Sequence, residues 1–330
     1  RTAEDWLREV IDQARRGTLP GMVRTGATFA DAAAEYLRYI EHDRIVRPST
    51  LRGYRSIVNA HLLPFFGEKR IEEITSRMVE DWRASIENHK QERPLAPRTK
   101  NRSLMVLNGV FKRAQKVWGL PRNPVAEVER QRETISGDIE VFSLEEILAL
   151  VRAADSEQDA AIFLTAAFTG LRRGELIALR WRDVDFANSV LRVRASFAGE
   201  VLTTPKSGKV RSVPLAPQVA EALARLAKRD SWTGDDDLVF AGEHGLYLDG
   251  SALRRRYTAA LKRAGLRELR FHDLRHTFGS RMIAKADIRR VQEWMGHADI
   301  TTTMKYLHYA PREEDATLVA EAFSLQQVAA

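Results

Sequence analysis

A chain of 330 residues, 44% apolar and 29% charged, has room for about two domains with buried cores. The absence of cysteine excludes disulfides, thiolate metal sites and cysteine nucleophiles, and fits a reducing, cytoplasmic setting. No apolar run reaches the roughly 18 residues of a membrane-spanning helix, and a net charge of +7 admits a polyanionic partner.

The first residues, "RTAEDWLREVIDQARRG", are charged and amphipathic, unlike a signal sequence. The start on Arg rather than Met leads us to expect a missing N-terminal portion. From 28 to 88 the pattern is helical. Thr28 is a fitting N-cap before a stripe of Phe29, Ala33, Tyr36, Leu37 and Ile40. Pro48-Ser49-Thr50 opens a second helix that ends near Pro64 and Gly67, and Thr75 caps a third with Trp82 on its apolar side. "APRTKNRSLMVLNGVFKRAQKVWGLPRNP" gives one long helix with Leu104, Leu107, Val110, Phe111 and Ala114 inward. Residues 128–140 lose this periodicity and read as a polar linker. Ser143, with Glu146 three positions on, opens the second half with a capping box.

That half is mixed. "DAAIFLTAAF" predicts a buried helix broken at Thr169-Gly170, and "LRRGELIAL" a short one. Alternation in "VLRVRAS" and "VRSVPL" predicts strands flanking "AGEVLTTPKSGK", with Lys206 at or beside the hairpin tip in Pro205-Lys206-Ser207-Gly208. From Pro217 on, the chain reads as mostly helical. The fold expected is therefore mainly α with a small antiparallel β-sheet: a helical domain followed by a mixed α/β one.

Charge is unevenly spread. Residues 44–67 hold Arg44, Arg47, Arg52 and Arg55 and no acid. Residues 93–126 hold eight basic residues and no acid, among them Arg98, Lys100, Arg102 and Lys112. Residues 254–272 hold seven against Glu268 alone. A solvated face ordinarily mixes signs, so these segments favour nucleic-acid phosphates as partner. Arg52, Arg55, Arg98, Lys100, Arg102 and Lys112 are the DNA-binding candidates.

Four segments carry the chemistry: "TGLRRGEL" (169–176), "PKSGK" (205–209), "FHDLRHTF" (271–278) and "WMGHADITTTMKYLHYA" (294–310). Singly, each has a plain explanation. Arg172 fits a surface arginine, Lys206 a solvated turn tip, and His272 with Arg275 a structural pair on one helical face. Together they suit phosphoryl transfer, which needs a nucleophile, positioning and neutralised charge. Forked guanidiniums match the non-bridging oxygens of a phosphodiester, and Lys or His can protonate a departing oxygen. No carboxylate cluster for two Mg²⁺ ions lies near, which points to a covalent route through a hydroxyl. A metal site in the last segment is disfavoured, since His297 and His308 stand eleven apart with no cysteine to complete a shell. A tyrosine nucleophile must overcome a pKa of about 10, which leaves about one phenol in a thousand ionised at neutral pH; neighbouring cations lower that cost.

In this order the four segments resemble the motifs of the tyrosine recombinases, or phage-integrase family, over about residues 25–310. The resemblance implies a helical core-site-binding domain at 25–130, a linker at 131–141, a catalytic domain at 142–311 and a tail at 312–330 that docks on a neighbouring protomer. Residues 1–24 would be a helix or linker left from an arm-binding domain. Arg172 and Arg275 would clamp the scissile phosphate. His272 would bond it and assist proton movement, Lys206 would protonate the leaving 5′ oxygen, and His297 would orient the site. Glu175 would support the arginine and histidine. Tyr306 would attack, because the family places a histidine two residues after the nucleophile and His308 fits; Tyr309 has no such match. His276 and Tyr257 are taken as structural. The implied partners are duplex DNA with core sites, a homotetramer formed on it, and accessory bending or directionality factors, with no membrane and no cofactor, in a nucleoid-associated cytoplasmic setting. Integration or excision of a mobile element is the expected role. The alternatives are Xer-type resolution, a degenerate DNA-binding regulator and a type IB topoisomerase.

Overall fold

Thr28 begins the helical part of the chain with a reciprocal cap. Its hydroxyl accepts from Asp31 N at 3.2 Å, while Asp31 accepts from Thr28 N at 2.8 Å. This is seen in a computed structural model that describes residues 2–15, 24–88, 93–133, 139–205 and 208–307. The chain divides into two units, Arg1–Ser136 and Gly137–Ala330. Helices dominate both, as composition and pattern predict.

In the first unit the helices Phe29–Arg38, Pro48–Ile57, Ser76–Ser85 and Pro97–Trp118 enclose one apolar core. Leu104, Leu107, Val110, Phe111 and Ala114 all face it from the long helix, which stops at Gly119 in the left-handed region (φ 66°). Phe29, Phe66 and Trp82 pack ring against ring, and the Trp82 indole donates to the His61 carbonyl at 2.8 Å. Wide turns at Tyr39–Asp43 and Val58–Leu62 continue the first two helices beyond Arg38 and Ile57.

The second unit is built round the helix Glu157–Thr169. Residues 161–167 are buried in an unbroken row, which a helix can tolerate only when encircled. Leu144–Arg152, Pro217–Leu226, Gly250–Arg263 and Asp273–Met282 supply the surround. A three-stranded antiparallel sheet has Val190–Val193 between Val184–Asp185 and Arg211–Pro214. Its register sets Leu191 opposite Val213 and Val193 opposite Arg211, with all four side chains inward.

The hairpin expectation needs correcting. Ser196–Ala198 and Val201–Thr203 form a hairpin of their own, turned by Gly199 (φ 57°) and Glu200 (φ 64°). Two successive left-handed residues match the twist of the flanking strands, so the chain reverses before it reaches Pro205. A further turn follows, in which Gly208 N donates to the Pro205 carbonyl at 2.8 Å. Lys206 itself lies outside the described residues, as do His308, Tyr309, the tail from 312 and positions 134–138 of the linker.

Candidate active site

Helix ends assemble the site. Gly170 (φ 63°) terminates Glu157–Thr169, and a Cβ there would fall 2.5 Å from the Phe278 ring, so only glycine fits. The chain then delivers Arg172, whose amide donates to Glu175 at 2.8 Å and whose guanidinium bonds the same carboxylate at 2.9 Å. Glu175 is buried, and Arg211 grips it from the sheet with two bonds of 3.0 and 2.6 Å. Burial works to raise the Glu175 pKa, but the hydrogen bonds and charges of Arg211 and Arg172 outweigh it and hold the group below the usual carboxylate range.

The helix Ile288–Met295 closes the arrangement with its carboxyl end. Three successive carbonyls each receive one arginine: Trp294 from Arg211, Met295 from Arg275, and Gly296 from Arg172. Arg275 also donates to the Gly170 carbonyl, the end of the other helix. Cations at the negative ends of helix dipoles are favourably placed, and the carbonyls satisfy donors that burial strips of water. Arg275 is 2% exposed; burial and then the charge of Arg172 pull its pKa down to about 9, which leaves it charged at neutral pH.

Tyr306 lies against this array. Only 3% exposed, it packs over Gly279, where a Cβ would come within 2.8 Å of the ring. Its ring is parallel to that of His297, with centroids 6.3 Å apart. Its hydroxyl lies 2.9 Å from Nδ1 of His276. Burial raises the phenol pKa, while Arg275 and Arg172 oppose the rise, so the group is protonated at neutral pH. His297 is fixed by a 2.9 Å contact between its Nδ1 and Thr303 Oγ1, and its pKa is pushed down to about 3 by burial and then by the arginines. His272, whose ring stands edge-on to His276 at 4.9 Å, is lowered to about 4 by burial first, although it keeps an exposed edge. The imidazoles are therefore neutral near pH 7, each with one donor and one acceptor.

Of the predicted residues, Arg172, Glu175, His272, Arg275, His297 and Tyr306 come together here. Sequence reading missed two others. Arg211 was visible as a charged residue in the inward register of a strand, between Leu191's partner Val213 and the turn. His276 was set aside as structural, yet it is the group that touches the Tyr306 hydroxyl. Tyr257 is a core residue, with its hydroxyl on the Arg270 carbonyl at 3.3 Å.

The basic segments separate into different kinds. Arg52, Arg98, Arg102 and Lys112 are exposed on the first unit, and Lys112 lines an open cleft with Asn108, Arg122 and Asn123. Arg55 is exposed and paired with Glu41 at 2.6 Å. Lys100 corrects the prediction. It is 5% exposed, and its ammonium donates to the Arg83 carbonyl at 2.9 Å, so it holds two helices together and presents nothing to a phosphate. Segment 254–272 is acid-poor only along the chain: Arg256, Arg263, Arg267 and Arg270 pair with Asp159, Asp155, Glu146 and Asp273.

Comparison with known proteins gives the family of the chain. Residues 139–313 match the model of the phage integrase family, and residues 28–86 that of the phage integrase N-terminal SAM-like domain. A XerC-like tyrosine recombinase of Caldanaerobacter subterraneus subsp. tengcongensis is 31% identical over 209 residues, 55% of this chain and 54% of that protein. The putative prophage phiRv2 integrase of Mycobacterium tuberculosis is 28% identical over 321 residues, 93% of this chain and 82% of its own length. The Tn1549 transposon integrase, solved in complex with a circular intermediate DNA, superposes with a TM-score of 0.70 over 89% of this chain and 99% of the other, at 22% identity.

Proposed function

The chain belongs to the phage integrase family, the tyrosine recombinases, and on that premise we propose that it cuts and rejoins DNA through a 3′-phosphotyrosyl intermediate to integrate or excise a mobile element. The observation that carries the reading is the seating of the buried Tyr306 phenol over Gly279, on the same helix that holds the buried Arg275. A phosphodiester held by the Arg172 and Arg275 guanidiniums has its negative charge matched before the reaction starts. His272 and His297, neutral, donate to its oxygens. The Tyr306 oxygen attacks phosphorus, Lys206 protonates the departing 5′ oxygen, and Glu175 keeps Arg172 in place. The bond energy stays in the protein–DNA link, so rejoining to another strand needs neither ATP nor a metal ion.

In this reading residues 25–130 bind the core site, 131–141 link, 142–311 cleave, and the 312–330 tail docks on the next protomer of a tetramer assembled on two sites. Arg52, Arg55, Arg98, Arg102 and Lys112 meet the phosphates. The prophage integrase aligned over 93% of the chain favours mobile-element integration. The XerC-like relative, higher in identity over a shorter span, favours Xer-type resolution as the second reading. Accessory bending or directionality factors and a nucleoid location in the cytoplasm complete the proposal.

The test is covalent capture on nicked duplexes. A core sequence is first selected from a randomised pool by adduct formation with the wild-type protein in EDTA. Adducts are expected from wild type and Tyr309→Phe and none from Tyr306→Phe. An adduct that survives Tyr306→Phe overturns the assignment, and strict dependence on Mg²⁺ overturns the mechanism.

A further inference from the structure

A phenol that attacks phosphorus must lose its proton, and among the described residues the side chain within hydrogen-bonding distance of the Tyr306 hydroxyl is His276, not the His272 to which the family resemblance gives proton movement. Burial keeps that proton on Tyr306 at neutral pH. His297 is parallel to the tyrosine ring and has its Nδ1 engaged by Thr303. His272 stands edge-on to the His276 ring, with centroids 4.9 Å apart. The arginines can only donate. His276 is different: its Nδ1 lies 2.9 Å from Tyr306 Oη, a hydrogen-bonding distance, from the helix that also carries Arg275 and Gly279.

We propose that His276 is a further catalytic residue, which holds the Tyr306 hydroxyl in line and accepts its proton through Nδ1. The inference rests on Tyr306 being the nucleophile. As the Oη–P bond forms and the P–O5′ bond breaks, the phenolic proton passes to Nδ1 and the 5′ oxygen is protonated by Lys206. On rejoining, the 5′ hydroxyl returns its proton to Lys206 as its oxygen attacks phosphorus, the Oη–P bond breaks, and the other proton returns from Nδ1 to Oη.

The imidazole must be neutral for this, and its surroundings keep it so. Burial lowers its pKa first; Arg270, Arg275 and Lys305 lower it further, and Asp273 opposes them. His272 and Tyr306 face the ring directly, and the charge states of His276 and His297 are coupled. Proton transfer to a positioned base contributes about a hundredfold to ten-thousandfold in rate. A purely structural histidine contributes nothing to the pH dependence of the chemical step.

The experiment uses the whole chain and the selected nicked duplex, with His276→Phe and His276→Asn. Asparagine places an acceptor oxygen near the position of Nδ1; phenylalanine fills the same space without one. With DNA affinity within about twofold of wild type, His276→Phe should slow adduct formation about a hundredfold or more. It should slow rejoining of a preformed adduct equally, and His276→Asn should recover part of both rates. Wild-type cleavage should fall as pH drops below the ordinary histidine value of about 6.5, and that limb should vanish in His276→Phe. Cleavage by His276→Phe within about threefold of wild type, an unchanged acid limb, or a loss no larger than the loss of DNA binding overturns the inference. In each of these cases a Tyr306-dependent adduct still stands. Adducts that do not require Tyr306 instead overturn the nucleophile assignment.

Discussion

The two units use arginine in opposite ways. In the first, Arg52, Arg98 and Arg102 stand exposed on helices that bury an apolar core on their other side. In the second, Arg172, Arg211 and Arg275 converge on Glu175 and on the carbonyl ends of two helices. A surface guanidinium is solvated, mobile and cheap, and attracts phosphate by charge alone. A buried one has already lost its water, so it must be held by fixed acceptors, and what it then offers a ligand costs no reorganisation. In the proposed reaction, recruitment would fall to the first arrangement and chemistry to the second.

The sharpest way to break this contrast is to remove the one carboxylate in the array. Glu175→Ala leaves Arg172 and Arg211 without their shared counter-charge, and breaking a buried pair costs about 3–5 kcal/mol. Urea unfolding of the second unit should lose that much. A loss below about 1 kcal/mol means the carbonyls alone suffice.

Acid attacks the same region. Glu175 has a depressed pKa, so its contribution is present above the ordinary carboxylate range and is lost as pH falls through its lowered value. His272 and His297 act in the same direction at higher pH. Unfolded, they take up protons below about 6.5, whereas the folded site refuses them until about 4 and about 3. Stability of the second unit should fall steadily from pH 6.5 towards 4, with His272 contributing less than His297 because of its exposed edge. Melting followed across that range checks it, and a flat profile for the second unit would falsify the buried-imidazole account.

A smaller, more local effect is expected at the tyrosine seat. Gly279→Ala puts a methyl within 2.8 Å of the Tyr306 ring, an overpacking that costs about 1–3 kcal/mol. Covalent capture should drop further than thermal stability does, since the hydroxyl leaves its place beside His276. The least perturbing changes belong to the first unit. Arg98→Ala and Lys112→Ala should each stay within about 0.5 kcal/mol of wild-type stability. Each should weaken DNA binding and reduce its salt slope by about one if its cation meets a phosphate.

Much of this was legible in the sequence for local reasons. Caps at Thr28 and Ser143, the stripe on Pro97–Trp118 and the glycine stop at Gly170 are short-range signals, and they mark elements correctly because each is satisfied by neighbours in the chain. The early turn at Gly199-Glu200 was missed, since only one of its two left-handed residues is glycine. Lys100 was misplaced for a different reason: composition counts a charge without showing whether its side chain reaches solvent or a carbonyl.

What the sequence by itself determined is the helical framework, the division into a helical and a mixed half, and the arginine, histidine and tyrosine types the chemistry needs. These follow from periodicity, capping and motif order, all properties of the chain read in one direction. Only the tertiary structure decided which arginines are buried, that Arg211 shares Glu175 with Arg172, and that His276 meets the Tyr306 hydroxyl. The Arg211–Glu175 and His276–Tyr306 contacts join residues 36 and 30 positions apart. Packing brings them together because buried cations must find fixed acceptors, and the carbonyl ends of distant helices are where such acceptors lie.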